Sequence, residues 1–236
     1  MNPLVQKLLP RFTKAWTFFS EAHPLLMPEC INVLDAYDDP RRPYHNLTHL
    51  ADVLDKLDWA RTVLGNDGTL DHLPAAERER MLMRIELALF YHDVIYDATA
   101  KDNEAKSRDL FLEHATHFGM AQDDRAAIAR LIDITAKHTQ ASALDEQILC
   151  DCDLAILGAE REVFARYDRN IRTEYAHIPD TVWHLRRPAV LKHFFEQPRL
   201  YKTNAFHARY DAPARHNLRD AITPSPLAKL TRLFKR

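Results

Sequence analysis

The feature that most constrains this sequence is a long segment without proline. No proline occurs between Pro74 and Pro179, a stretch of 104 residues, and the whole chain of 236 residues contains only four glycines. Proline breaks helix interiors, and glycine supplies the positive-φ turns that sandwiches and barrels need in number. Apolar residues recur at helical spacing, and no segment alternates convincingly at period two. The sequence therefore predicts an all-α protein, a compact multi-helix bundle.

Start and stop signals divide the chain into helices. The turn Pro40-Arg-Arg-Pro43 separates the second predicted helix from the third. No internal repeat, low-complexity tract or flexible linker interrupts the chain, so we expect one helical domain over 1–236, with a core at about 40–160 and a helical extension over 160–236. The predicted helices lie near 4–22, 28–38, 46–64, 75–92, 102–118, 122–138, 145–157, 160–176, 180–196 and 205–222.

Composition excludes several classes of protein. Hydrophobic residues make up 46% and charged residues 28% of the chain, which is typical of a globular protein. No apolar run reaches 18 residues, and the N-terminus lacks the features of a signal peptide, so we expect a cytoplasmic protein with no membrane partner. The four glycines form neither a P-loop nor a dinucleotide-binding loop. The three cysteines are expected to be reduced and buried.

Charge is unevenly distributed. Residues 197–236 carry nine Lys and Arg against two Asp, a net charge of +7, and the first 196 residues carry −9. The last ten residues, LAKLTRLFKR, are basic and amphipathic. Such a segment can contact nucleic acid, phosphate or an acidic surface, or it can dock as a terminal helix on its own domain. We expect docking and no nucleic-acid partner.

Three short motifs contain the residues best suited to chemistry. His45 and His49 are four residues apart, so both rings can lie on one side of a helix start. His92 and Asp93 follow a strongly apolar helix, where a carboxylate is costly unless it is paired or bound to metal. The third motif, residues 151–153, is Asp-Cys-Asp before another apolar run. Imidazoles with carboxylates are typical ligands of divalent metals.

These motifs resemble the metal-binding pattern of the HD superfamily of metal-dependent phosphohydrolases. The resemblance implies that His49, His92, Asp93 and Asp153 bind a divalent metal ion, which would be Mn, Mg, Co, Ni, Fe or Zn. Asp151 is the second choice for the distal ligand. The segment around His45 and His49 is also similar to the signature of cyclic nucleotide phosphodiesterases. In that pattern the first histidine donates a proton to the leaving group.

The resemblance is closer to a bacterial group of predicted HD-type phosphohydrolases. That group has YHxxxH, FHDxxYD, NExxS, a distal histidine and DxDLxILG, in this order. The matching segments here are Tyr44 to His49, Tyr91 to Asp97, Asn103 to Ser107, His138, and Asp151 to Gly158.

The resemblance implies hydrolysis of a phosphoester or phosphoanhydride of a small molecule, for instance a nucleotide, with His45 and Asp93 as catalytic residues. Asn103 and Glu104 are expected to orient the metal ligands or to begin a helix. Phosphodiesterases continue HDxxH, and the last position here is Tyr96, so the number of metal ions stays open. Residues that can serve as a further ligand or phosphate partner are Asp97 and His138. Cations that can neutralise phosphate charge are Lys106, Lys137, Arg41 and Arg42.

Two other functions stay open at this stage. Some relatives of the HD fold are di-iron oxygenases, and this function would require extra histidine ligands, for which His138 is the only good candidate in the core. The chain can also be a non-catalytic nucleotide- or phosphate-binding module. The sequence does not decide the substrate, the metal or the oligomeric state, and a homo-oligomer is one of the options.

Overall fold

A computed structural model describes residues 2–223 of the chain. These residues contain helices and no strand, so the all-α class is confirmed. Two 3₁₀ turns, Thr135–Gln140 and Ala155–Gly158, follow the sixth and seventh helices. The helices within residues 2–223 are α1 (Pro3–Thr17), α2 (Leu26–Tyr37), α3 (Leu47–Asn66), α4 (Ala75–Tyr91), α5 (Asn103–His117), α6 (Gln122–Ile134), α7 (Leu144–Leu154), α8 (Arg161–Glu174), α9 (Asp180–Phe195) and α10 (Asn204–Ile222).

Helix α3 begins at a strong N-terminal cap. The Asn46 side chain accepts hydrogen bonds from the backbone N–H groups of Thr48 and His49. Such bonds satisfy donors that the first turn leaves unpaired. His49 is thereby fixed in the first turn of the helix. The predicted apolar stripe of this helix is buried throughout, and its members are Leu50, Val53, Leu57, Ala60 and Leu64.

The core is formed where α3, α4 and α7 pack against one another. The second half of α4, from Ile85 to Tyr91, is buried on every side. Phe90 stacks on Phe12 of α1 with ring centroids 4.1 Å apart, and Tyr91 meets Phe12 edge-on. Close packing of this kind fixes side-chain positions. His92, the residue after α4, therefore projects from a rigid support.

Two predicted helix ends were wrong. Helix α1 ends at Thr17 instead of residue 22, and the Ser20 hydroxyl donates to the Trp16 carbonyl, a local side-chain bond that competes with continuation of the helix. Helix α6 ends at Ile134 instead of residue 138. The Thr135 hydroxyl donates to the Ile132 carbonyl at 2.7 Å, a local bond that competes with the helix. The 3₁₀ turn that follows contains the residue His138.

The C-terminal extension packs tightly on the core through Gly158. A Cβ atom at this position would lie 2.5 Å from the Tyr210 carbonyl oxygen of α10, so only glycine permits this approach. The Asn217 side chain donates to the carbonyls of Leu157 and Ala159, on both sides of this glycine. The docking of α10 thus explains the glycine that ends the DxDLxILG motif.

Two expectations concern chain segments and membranes. The basic segment LAKLTRLFKR lies outside the described residues, so its predicted docking stays a prediction. Among residues 2–223, no helix combines the length and apolar character that crossing a membrane requires.

Candidate metal centre

Four predicted ligands lie together where α3, α4 and α7 meet, and we call them the His/Asp cluster: His49, His92, Asp93 and Asp153. The Nε2 atoms of the two histidines are 3.2 Å apart. An Asp93 carboxylate oxygen lies 3.4 Å from His49 Nε2 and 3.0 Å from His92 Nε2. An Asp153 oxygen lies 3.5 Å and 3.8 Å from the same two atoms. The donor atoms of His49, His92 and Asp153 all lie within 4.8 Å of one another, and Asp93 lies against the two imidazoles.

The spacings among His49, His92 and Asp93 match those of donor atoms in a coordination sphere, and those of Asp153 are slightly longer. Donors that bind one metal ion at about 2.1 Å lie about 3.0–3.4 Å apart when they are neighbours in tetrahedral or octahedral geometry. The histidines are almost fully buried, and the side chains of Asp93 and Asp153 are only 16% and 15% exposed. The cluster is thus shielded on the protein side and keeps limited access to solvent.

The orientation of His92 leaves one ring nitrogen available to the cluster. Its Nδ1 lies 2.8 Å from the Leu89 carbonyl oxygen, so the proton of the neutral ring is assigned to Nδ1. The lone pair then belongs to Nε2, the nitrogen that faces His49 and the carboxylates. Metal-binding histidines are usually held in this way by a second hydrogen bond.

Electrostatics make the cluster attractive to positive charge. Burial opposes the charged form of His92, but the carboxylates of Asp93 and Asp153 outweigh burial and raise the pKa of His92 to about 9 in the metal-free protein. Binding of a metal ion by Nε2 would therefore displace a proton. Burial opposes ionisation of the two carboxylates as well. The neighbouring histidines outweigh it and hold the pKa values of Asp93 and Asp153 below their usual range. The two carboxylates are therefore ionised at neutral pH.

The backbone at Asp93 is held by two buried side chains. Arg42 donates to the carbonyls of Asp93 and Val94 at 2.9 and 3.1 Å, and its guanidinium lies over the Tyr37 ring. The Tyr37 hydroxyl accepts from the Asp93 N–H at 3.2 Å. Arg42 is thus engaged in backbone contacts, and its predicted role as a phosphate partner stays a prediction. Arg41, the other predicted cation of this turn, pairs with its neighbour Asp39.

His138 contacts the cluster through one carboxylate. Its Nε2 lies 2.6 Å from Asp153 Oδ2, whereas the other oxygen of Asp153 faces His49 and His92. A carboxylate held at one oxygen by an imidazole presents its second oxygen in a fixed direction. Helix α6 ends at Ile134, and the 3₁₀ turn that follows leads the chain toward α7. His138 of this turn therefore lies beside Asp153 of α7.

His45 belongs to a second group beside the cluster, in which sequence reasoning missed one member. His45 Nδ1 lies 2.6 Å from Glu174, the last residue of α8, which also accepts from the backbone N–H of Tyr44 and His45. Tyr96 donates to Glu174 at 2.9 Å and stacks on the His45 ring at 4.2 Å. No local pattern marked Glu174, because it lies 129 residues from His45.

The remaining predicted site residues form contacts among themselves. The Asn103 side chain bonds to the backbone of Asp97, Asp97 bonds to Thr99, and Lys106 pairs with Asp102. Lys137 and Glu104 line a surface groove beside α5 and α6. None of the hydrogen bonds or ion pairs of these five residues within the described chain joins the His/Asp cluster. Their predicted roles in orienting ligands or binding phosphate stay predictions.

Asp151 does not take part in the cluster. It is fully buried and accepts from the backbone N–H groups of Lys202 and Thr203, at 2.7 and 2.8 Å, and from the Thr203 hydroxyl at 2.8 Å. Burial raises the pKa of Asp151 to about 6, against the opposing effect of these donors. Its hydrogen bonds explain why a second aspartate precedes the one that faces the cluster.

The donor set limits the chemistry of the centre. Two imidazoles and two carboxylates suit a first-row divalent ion such as Mn, Fe, Co, Ni or Zn, and the carboxylates also suit Mg. The arrangement therefore fits the metal that the sequence implied. Comparison of the chain with protein-family models, with curated proteins and with solved structures finds no match.

Proposed function

We propose that this chain is a metal-dependent phosphohydrolase of the HD type, which cleaves a phosphoester or phosphoanhydride of a small molecule. The observation that carries the proposal is the pairing of the His/Asp cluster with a neighbouring histidine that has its own carboxylate. The ring centroids of His45 and His49 are 5.8 Å apart, so a substrate at the cluster lies within reach of His45. Metal-assisted hydrolysis needs both an ion and a proton source.

His45 is suited to protonate the leaving oxygen. Burial opposes its charged form, but Asp93 and Glu174 outweigh burial and raise the pKa of His45 above its usual value. In the metal-free protein a larger share of His45 therefore carries a proton at neutral pH than an ordinary histidine does. Because Nδ1 donates to Glu174, Nε2 is the nitrogen that can deliver a proton. This is the arrangement that general acid catalysis requires.

Glu174 and Tyr96 act as positioning residues for His45. Glu174 holds the ring through Nδ1 and also accepts hydrogen bonds from the backbone N–H groups of Tyr44 and His45. Tyr96 restrains the ring by stacking on it. Tyr96 occupies the place where phosphodiesterases have a further histidine, so the side chain at this position here supports the proton donor.

His49, His92, Asp93 and Asp153 would hold the metal ion. A divalent ion bound there supplies a Lewis acid that polarises a phosphoryl oxygen and makes water a nucleophile near neutral pH. The protein keeps these donors in place, because both histidines are buried, His92 is held by the Leu89 carbonyl and Asp153 is held by His138.

The test is a two-substrate comparison on the His45→Ala variant, with metal content measured on the same samples. We expect full metal content and a loss of about 10²–10⁴-fold in turnover of an alkyl phosphate, whose leaving group needs a proton. Hydrolysis of p-nitrophenyl phosphate should fall far less, because nitrophenolate leaves without protonation. Exposed His72 provides the matched control, since His72→Ala should change neither rate.

Two results would contradict these assignments. Equal losses on both substrates together with metal depletion would make His45 a metal ligand. Wild-type protein that binds no divalent ion, or hydrolyses no phosphate compound when loaded with Mn²⁺, Mg²⁺, Co²⁺ or Ni²⁺, would remove the proposed function itself.

His138 supports one second candidate, a di-iron oxygenase. Its Nε2 lies at the Asp153 carboxylate, where it can become a ligand of a second ion. Two equivalents of iron in the isolated protein, with visible absorption and consumption of O₂, would favour this candidate over the hydrolase.

A further inference from the structure

A cavity beside the His/Asp cluster lies between α3, α8 and α10. Its volume is about 690 Å³, and the 3₁₀ turn Ala155–Gly158 contributes to its lining. Volumes of about 300–1,000 Å³ are usual for small-molecule sites. The cavity shares two walls with the metal centre, since both His49 and Tyr44 line it. It therefore adjoins the cluster while extending away from it.

The cavity lining contains two arginines that lack an acidic partner. Arg209 of α10 and Arg166 of α8 form no ion pair within residues 2–223. The guanidinium of Arg209 lies over the rings of Trp59, at 4.7 Å from the centroid, and Tyr210, at 5.4 Å. Aromatic faces hold a guanidinium in place while leaving its N–H groups able to bind an anion.

The lining contains three other charged side chains, Asp52, Lys56 and Glu160. Lys56 is neutralised by Asp52, one helical turn away on α3, at 2.7 Å. Glu160 is an exposed residue immediately before α8. Arg166 and Arg209 are exposed as well, and they are the two cations of this lining that form no ion pair within residues 2–223.

The lining also contains a rigid aromatic wall. Tyr44 and Tyr167 meet edge-on with ring centroids 4.6 Å apart. Tyr167 is itself held by Arg187, whose guanidinium lies 5.5 Å from the ring and donates to the hydroxyl at 3.2 Å. Rings fixed in this way offer a surface for another flat ring at little cost in conformational entropy.

We propose that this cavity is a second ligand site, which binds an aromatic phosphate monoester. The phosphate is bound by Arg166 and Arg209, and the ring lies against Tyr44 and Tyr167. Two guanidinium groups favour a dianion over a monoanion, so phosphate is preferred to carboxylate. None of these four side chains is a proposed metal ligand or proton donor, so binding at this site can be measured without metal, although His49 of the cluster also lines the cavity.

Binding is measured by calorimetry on the full chain with a metal chelator present, so that the His/Asp cluster holds no ion. The probes are phenyl phosphate, phenol, benzoate and inorganic phosphate. We expect phenyl phosphate to bind at least about tenfold more tightly than each of the other three, because only it offers both a ring and a dianion. Undetectable binding of phenyl phosphate, or equal binding of inorganic phosphate, would overturn the proposal.

Paired substitutions locate the site. The variant with Arg166→Gln and Arg209→Gln should bind phenyl phosphate about 10- to 100-fold more weakly, the worth of lost charge-assisted hydrogen bonds. A matched control removes two charges elsewhere, with Arg125→Gln and Arg186→Gln, and should keep the affinity of the wild type. An unchanged affinity in the first variant, or equal losses in both, would place the anion outside this cavity. Failure of hydrolysis would leave this test unaffected, because no metal is present.

Discussion

Asp151 and Asp153 are two residues apart on the same helix and are used in opposite ways. Asp151 is fully buried, and three fixed donors from the segment before α10 satisfy both of its oxygens. Asp153 keeps 15% of its side chain exposed, and its oxygens face the imidazoles of His49, His92 and His138. Asp151 thus connects the C-terminal extension to the core, and Asp153 faces three histidine rings.

The difference teaches how the surroundings decide the role of a carboxylate. Backbone N–H groups and a hydroxyl cannot leave Asp151 or lose their protons, so this site has no place for another cation. Imidazoles titrate and can turn a lone pair toward a metal ion, so the surroundings of Asp153 can exchange protons for metal. Asp151 is accordingly expected to govern stability, and Asp153 to govern metal binding.

The largest expected effect is that of Asp153→Asn on metal binding. This substitution removes a proposed ligand, so the affinity for the divalent ion should fall by more than about 100-fold, beyond the effect of losing an outer hydrogen-bond partner. Hydrolysis should be lost with the metal, while the metal-free variant stays folded. Elemental analysis and titration with Mn²⁺ measure the change. If this variant still binds one equivalent of metal, Asp153 is not a metal ligand and does not differ from Asp151 in this respect.

The matching substitution, Asp151→Asn, should act on stability instead. An amide presents an NH₂ group where Lys202 and Thr203 both donate, so at least one buried donor loses its acceptor. We expect the free energy of unfolding to fall by about 2–4 kcal/mol. Chemical denaturation measures this, and metal affinity at a temperature where the variant is folded should be unchanged. A large loss of metal affinity in the folded variant would contradict the structural role.

His138→Gln gives a smaller effect and tests how the free oxygen of Asp153 is oriented. Loss of an outer partner usually weakens metal binding by about 10- to 100-fold. Glutamine can still donate to a carboxylate, so we expect the lower end of this range, and His138→Ala should reach the upper end. Titration with Mn²⁺ ranks the three proteins. Equal affinity in all three would show that His138 does not position Asp153.

A further expected effect is on the pH dependence of stability. In the folded protein the pKa of Asp151 is about 6, above the usual value of about 3.9. The folded state then binds more protons than the unfolded state between about pH 4 and pH 6, so stability falls as pH rises through this window. Denaturation of metal-free wild type and Asp151→Asn across this range should show that contribution in the wild type only.

Asp124 supplies a control of opposite sign. Its carboxylate is buried against Arg80 and Arg84. Burial raises its pKa, but the two arginines outweigh burial and lower it. Its stabilising contribution is therefore present above its usual pKa and is lost as pH falls below about 4. Asp124→Asn should remove stability at pH 7 and flatten the acid side of the profile. If Asp124→Asn and the wild type lose stability alike below pH 4, the stabilising role of the pairing of Asp124 with Arg80 and Arg84 is contradicted.

Much of the fold could be predicted from the sequence, because helix formation depends on local patterns. Each predicted helix within residues 2–223 is present, and the stripe from Leu50 to Leu64 is buried as its spacing indicated. The ends were less certain, since Ser20 and Thr135 close helices through side-chain bonds that the spacing of apolar residues does not reveal. The proposed metal ligands were also found by motif, although their function stays a proposal.

What the sequence by itself determined is the helical class and the set of imidazoles and carboxylates placed at helix ends. What only the tertiary structure decided is which of these groups meet. Asp151 and Asp153 have nearly the same local sequence, and the bonds to Thr203, 52 residues away, separate them. Glu174 reaches His45 across 129 residues. Local periodicity sets the helices, but long-range packing sets the partners of a side chain, and the partners decide its chemistry.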